Sequence, residues 1–290
     1  MPDLNLLFEA TGTQWSIRAT DIKNPTGLTH HIRQQIEDFE QTYSRFRPNS
    51  TVALMANASG TYWLPDTAKQ LLEIYRLAYE LTDGKVTPLI GQVLSDAGYD
   101  AEYSLRPGIP VMPPAWDAVL DYQFPNLTVN RPVRLDFGAA GKGLIVDLVG
   151  TYLLSVNASS YAIDAGGDLL CFNNQLAVGL EDPSEANQAI GSLNLRNGSL
   201  CGSSGNRRRW EGYHHLIDPQ TLRSPERILA VWATAESAVV ADMLTTCLFF
   251  ERGKEFARLC AAEYLVLYDD YSIDQSAGFQ AELYLRNDRP

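Results

Sequence analysis

The sequence predicts an α+β fold, with mixed, mainly antiparallel sheets flanked by helices. Three observations carry this. Several short segments alternate polar and apolar residues, separate stretches repeat apolar residues every three or four positions, and no strict strand–helix alternation links the two kinds. No internal repeat, low-complexity tract or linker divides the chain, so residues 1–290 are expected to form a single domain.

Taken in order, residues 4–8 and 15–19 alternate around Thr11-Gly12-Thr13, which predicts an opening pair of strands. After Pro25, the residues Leu28, Ile32, Ile36, Phe39 and Tyr43 make the apolar stripe of a helix that ends at Arg47-Pro48-Asn49-Ser50. A second helix, roughly 66–82, carries Leu71, Ile74, Tyr75 and Ala78 and stops at Asp83-Gly84. The Pro- and Gly-rich stretch 101–114 predicts a loop or short strands. A strand through Arg134-Leu135-Asp136 is expected to enter a glycine-rich turn and a helix reaching about Ser155. Further strands are expected near 161–172, 176–180, 192–197 and 228–234. Helices near 237–250 and 254–262 then precede a strand at 264–268.

Composition narrows the function. With 35 acidic and 23 basic residues the chain carries a net charge of −12, which opposes binding to nucleic acid and to anionic membrane surfaces. Hydrophobic residues make up 45%, enough for a large core in one domain. The four cysteines fall in no Cys-x-x-Cys or Cys/His spacing, which argues for buried free thiols rather than a zinc site. The amino terminus lacks a basic region, an export-length apolar run and a lipid-attachment cysteine. No stretch reaches the ~18 apolar residues needed to span a membrane. A soluble, cytoplasmic protein is the expectation.

Three segments can carry chemistry. The first is Asp136-Phe137-Gly138-Ala139-Ala140-Gly141-Lys142-Gly143, where three glycines before a helix let a phosphate or metal approach the backbone. Its spacing fits neither a Walker A loop nor Gly-x-Gly-x-x-Gly, and taken alone the segment reads first as a plain tight strand-to-helix turn. In the second, Asp242 and Thr246 lie four apart on one helix face, and their hard oxygens suit Mg²⁺. A solvated Asp242 with Thr246 bonded back to a helix carbonyl is the competing structural account. The third runs from Ser203-Ser204-Gly205-Asn206 to His214-His215-Leu216-Ile217-Asp218-Pro219. His215 is a candidate general acid or base, or else a structural histidine; His30 and His31 are expected on the surface.

Together and in this order the segments resemble the ApbE-type FAD:protein FMN transferase family. Asp136 to Gly143 is similar to its Asp-x-Gly-x-x-Ala-Lys-Gly turn, with Asp147 following, and Gly166-Gly167-Asp168 to its Gly-Gly-Asp. Val178-Gly179-Leu180-Glu181-Asp182-Pro183 resembles its Gly-Ile-x-x-Pro, His215-Leu216-Ile217-Asp218-Pro219 its His-Ile-x-Asp-Pro, and Asp242 to Thr246 its Ala-Asp-Ala-Leu-x-Thr helix. Thr11-Gly12-Thr13, Tyr43-Ser44-Arg45-Phe46 with Pro48 and Ser50, and the segment 84–99 match further motifs, so the likeness covers about residues 7–268.

The resemblance implies a T-fold-like single domain and Mg²⁺-dependent transfer of FMN from FAD to a serine or threonine of a target protein, with release of AMP. It implies Mg²⁺ at Gly141, Asp242 and Thr246, with Thr245 close by. FAD would run past Thr11, Phe46, Lys85, Val86, Thr87, Gly138, Leu144 and Ile217. His215 or Asp242 would take the hydroxyl proton, and Lys142 would meet phosphate charge. Thr87 stands where the family usually has Asp, and Gln92 where it has Pro. Asn206-Arg207 replaces Asp-Tyr, and Thr221-Leu222-Arg223-Ser224-Pro225 lacks a customary glycine. The run Arg207-Arg208-Arg209 suits phosphate, an acidic partner or solvent. Hydrolysis of FAD to FMN and AMP, or flavin carriage without catalysis, are the alternatives.

Overall fold

Alternation of apolar residues builds the first hairpin in the computed structural model, which describes residues 3–22, 26–185, 187–206, 208–250 and 252–284. Strands β1 (Leu4–Ala10) and β2 (Thr13–Thr20) pair antiparallel from Leu4 opposite Ala19 to Ala10 opposite Thr13. Trp15, Ile17 and Ala19 point to one side and are fully buried, as a period of two requires. Next, α1 (Leu28–Tyr43) lays Leu28, Ile32, Ile36 and Tyr43 into the core. A serine cap opens α2 (Thr51–Met55): Ser50 Oγ accepts from Ala53 N at 3.1 Å.

After β3 (Gly60–Trp63) comes α3 (Thr67–Leu81), a 3₁₀ turn at Pro88–Ile90, α4 (Gly91–Asp96) and α5 (Trp116–Val119). Strands β4 (Leu120–Gln123) and β5 (Asn126–Val129) join β3 in a small antiparallel sheet of order β3-β5-β4. The stretch 101–114 contains no strand and takes the loop alternative. Arg134-Leu135-Asp136 is not the expected strand either. Asp136 N bonds to Pro88 O at 2.8 Å, a contact with the 3₁₀ turn, so no ladder of strand bonds exists there.

The second half builds the main sheet. Helix α6 (Gly141–Ser155) leads into β6 (Ser160–Ala165), β7 (Leu169–Glu181) and β8 (Ala189–Ser204). The expected strand at 161–172 is two strands, because Gly166 and Gly167 turn the chain at φ 69° and 98°. A short ribbon, β9 (Arg209–Trp210) with β10 (Tyr213–His214), precedes β11 (Ile228–Ala235), α7 (Ala238–Cys247), α8 (Gly253–Leu259), β12 (Glu263–Tyr268), β13 (Ile273–Gln275) and β14 (Ala281–Leu283). The main sheet runs β1-β2-β6-β7-β8-β11-β12-β13, with β14 paired to the early part of β8, and every pairing is antiparallel. The antiparallel α+β architecture expected from the sequence is therefore present.

Both faces of this sheet are covered at its β11–β12 end. Val231, Ala233 and Val266 join the core that holds the helices, whereas Ala230, Trp232, Leu265 and Leu267 join a second core on the opposite face. Helix α6 buries Leu144, Ile145, Val146, Val149 and Leu153 completely, the pattern of a helix enclosed on several sides. Helix α7 lies beside it with every residue from Ala241 to Cys247 buried. Asp147 of α6 ties the two together by accepting from Ala238 N at 2.7 Å and Val239 N at 2.8 Å, at the otherwise unsatisfied start of α7. Among the described residues no helix is long and apolar enough to cross a membrane. The four cysteines are free thiols; Cys171, Cys201 and Cys247 are buried and Cys260 is partly so.

Candidate active site

The turn ahead of α6 is held by Asp136, by its own backbone and by Tyr75 of α3. Asp136 Oδ1 accepts from Gly138 N at 2.7 Å, Gly141 N bonds to Phe137 O at 2.8 Å, and Ala139 N bonds to the buried Tyr75 hydroxyl at 3.0 Å. Gly143, one turn further on, lets α6 reach α7: a Cβ there would collide with the backbone carbonyl of Ala238. This contact brings Gly141 and Lys142 beside Asp242, whose Oδ2 accepts from Gly143 N at 2.9 Å.

Gly141, Lys142 and Asp242 line a cleft of about 660 Å³. Of the residues expected to meet FAD, the cleft wall contains Thr11, Phe46, Lys85, Val86, Thr87, Gly138 and Ile217. It also contains Gly141, Lys142, His215, Asp242 and Thr246. Leu144 and Thr245 stand elsewhere. Leu144 is fully buried in the main core. Thr245 supports the site from behind, its hydroxyl donating to Asp242 O at 2.7 Å and lying 2.8 Å from Ser203 Oγ. Thr87, at the position of a customary Asp, caps the 3₁₀ turn by accepting from Leu89 N at 3.2 Å. Arg207 lies outside the described residues; Arg208 is on the cleft wall with its guanidinium 5.8 Å from the Tyr99 ring centre. His30 and His31 are exposed as expected, and the His31 ring stacks on Tyr152 at 3.9 Å.

The electrostatics of the floor are unbalanced. Lys142 Nζ bonds to Asp168 Oδ2 and lies 3.6 Å from Asp242 Oδ1. One ammonium thus faces two buried carboxylates. Burial opposes the charge on Lys142, but Asp168 and then Asp242 outweigh it and hold the lysine protonated. Burial, reinforced by the neighbouring Asp168, pushes the Asp242 carboxyl above the usual carboxylate range, although Lys142 pulls it down. The carboxylate of Asp242, the hydroxyl of Thr246 and a backbone carbonyl at Gly141 are hard oxygens of cleft-lining residues that could hold Mg²⁺, whose charge would favour the ionised form of Asp242. Among the described residues no group of three or more His, Cys, Asp or Glu side chains is placed to hold a metal ion. At another wall, Lys85 Nζ lies 3.6 Å from Asp218 Oδ2.

Sequence reasoning missed several wall residues. Arg45, Tyr99 and Tyr103 line the cleft, as do Asp136 and Asp168. Arg45 sat inside a quoted motif, and Asp168 ended another, but neither had a partner visible in one dimension. Their partners, Asp136 and Lys142, are 91 and 26 residues away along the chain. Tyr99 closed the matched segment 84–99 without being singled out, and Tyr103 carried no local signal at all.

The antiparallel α+β scaffold thus carries a ligand-sized cleft with Lys142, Asp242 and Thr246 at one side and the aromatic rings of Phe46, Tyr99 and Tyr103 on its wall. Comparison with known proteins gives the class. Residues 11–266 match the family model described as the ApbE family, and the chain belongs to that family. An "FAD:protein FMN transferase" of Rhodobacter capsulatus is 24% identical over 97% of this chain, which spans only 58% of that relative's length. A protein of the same description from Klebsiella pneumoniae is 26% identical, over 81% of this chain and 78% of its own. Among solved structures, the ApbE protein of Thermotoga maritima superposes with a TM-score of 0.83 at 22% identity, covering 96% of this chain and 98% of that one. Flavin transferase ApbE of Vibrio cholerae gives 0.78 at 19%, again over 96% and 98%. The fold is therefore the ApbE fold.

Proposed function

We propose that this protein transfers the FMN half of FAD to a serine or threonine hydroxyl of a target protein, releasing AMP, and needs Mg²⁺ to do so. The observation that carries the proposal is convergence. Residues from the β1–β2 turn, the start of α6, the segment after β10 and helix α7 meet in one cleft, in the company that a dinucleotide with a diphosphate would need. The curated relatives named for this activity support the same reading.

Asp242, Thr246 and the Gly141 carbonyl would hold the ion, and Thr245 fixes the Asp242 backbone behind them. When bound, Mg²⁺ supplies Lewis-acid polarisation and charge neutralisation at the diphosphate. Lys142 holds a positive charge at the same place, anchored by Asp168. His215 accepts the proton of the attacking hydroxyl as the new oxygen–phosphorus bond forms and the bond to AMP breaks. Binding of the flavin half falls to the wall that carries Phe46, Val86 and Ile217.

The test is incubation with FAD and an acceptor peptide containing a threonine among small residues, with and without Mg²⁺. A peptide mass gain of one FMN matched by AMP, only with Mg²⁺, is expected. AMP with free FMN and no labelled peptide would point to hydrolysis, and intact bound FAD to a carrier.

A further inference from the structure

Arg45 is a cleft residue whose bonding among the described residues is incomplete. Its side chain is only 3% exposed. Nε donates to Asp136 Oδ2 at 2.5 Å and Nη1 reaches Ser95 Oγ at 3.5 Å, but among the described residues the buried Nη2 has no hydrogen-bond partner. Five donors in a fixed plane make a guanidinium poor at hiding an unused N–H, and a buried donor without an acceptor is a cost that folding leaves standing. The surroundings say what acceptor is suited. The guanidinium lies 4.2 Å from the ring centre of Phe46 and 5.0 Å from that of Tyr99. Tyr103, half exposed, stacks on Phe46 at 5.2 Å with 17° between the planes. An aromatic wall selects a flat ring.

Asp136 already neutralises Arg45, so the pair offers a directed N–H donor without spare positive charge. A diphosphate beside it would meet the Asp136 carboxylate as well, whereas a neutral carbonyl meets only the donor. Lys142 and the oxygen cluster serve the anionic part of the ligand instead.

We propose that Arg45 recognises the flavin ring, donating from Nη2 to a carbonyl oxygen on the pyrimidine edge of the isoalloxazine. This rests on the flavin-transferase reading. It makes Arg45 a specificity-determining residue that distinguishes flavins from other nucleotides that share the AMP half.

The test separates ring from phosphate by titrating riboflavin and, with Mg²⁺ present, ADP into three proteins. These are wild type, Arg45→Lys, and the double variant Arg45→Met with Asp136→Asn. Lysine keeps the ion pair with Asp136 but lacks the second nitrogen, and the double variant removes both charges together, so neither leaves a buried charge alone. Riboflavin affinity is expected to fall roughly tenfold or more in both variants, with ADP affinity within twofold of wild type. Unchanged riboflavin affinity in a variant with the wild-type circular dichroism spectrum overturns the proposal. So does a loss confined to ADP, which would assign Arg45 to phosphate. Wild-type protein that binds neither FAD nor riboflavin would remove the transferase reading itself, and this proposal with it.

Discussion

Asp242 ties α7 to the start of α6 at the cleft wall. It accepts from the α6 backbone through Oδ2 and turns Oδ1 toward Lys142. Replacing it with alanine should abolish Mg²⁺-dependent AMP release, a loss of more than about a hundredfold, in a protein that keeps its circular dichroism spectrum. Retained turnover would remove Asp242 from the metal site. His215→Ala should slow transfer by roughly 10²-fold or more while FAD affinity stays near wild type, since a proton acceptor acts in the step and not in binding. Its neighbour His214 gives a stability prediction. Its Nε2 pairs with Pro225 O at 2.9 Å and its Nδ1 accepts from Leu216 N at 3.3 Å, so only the neutral ring satisfies both. Burial lowers its pKa accordingly. The unfolded chain takes up the proton near pH 6.5 and the folded one only below that. The stabilisation is therefore complete above pH 6.5 and is lost as pH falls through the lowered value, at up to about 1.4 kcal/mol per pH unit. Denaturant melts from pH 7 to pH 5 should show this slope in wild type and a shallower one in His214→Gln; equal slopes would exclude the mechanism.

At the scale of elements, the site depends on how closely the starts of α6 and α7 approach. Gly143 sets that distance because any side chain there meets backbone, which has no rotamer to yield. Asp147 sets the orientation through its two bonds to the start of α7. Gly143→Ala should force the helices apart and cost about 1–3 kcal/mol of stability. Mg²⁺ affinity should fall with it, because Gly141 and Asp242 sit on opposite sides of the widened seam. A variant with wild-type melting and Mg²⁺ affinity would show that the seam has slack the structure does not indicate.

For the whole molecule, ligand binding should be felt as stability. The cleft draws on segments spread from Thr11 to Phe250, so a ligand that bridges its walls ties together elements far apart in sequence. FAD with Mg²⁺ at about a hundred times the dissociation constant should add about 2.7 kcal/mol, a rise of a few degrees in Tm. Chelation should reverse most of it, and calorimetry with FAD alone provides the comparison. A shift indifferent to chelation would separate flavin binding from the metal.

Local pattern alone determined much of this protein. The first hairpin, α1 and α3 follow periods of two or 3.6 that any short window reveals, because burial of one face acts within a few residues, whereas α6, α7 and β12 are buried on more than one side and show only as apolar runs. The order of motifs identified the family, and twelve of the candidate residues drawn from it stand on the cleft wall. Tertiary structure decided the rest. It placed Leu144 in the core and Thr245 behind Asp242, turned 161–172 into a hairpin, and replaced the strand at 134–136 by one bond to a 3₁₀ turn. It also paired Arg45 with Asp136 and Lys142 with Asp168, and gathered Tyr99 and Tyr103 onto the wall. Periodicity reports which face of an element is buried. Which distant charge or ring it is buried against is set by the packing of the whole chain.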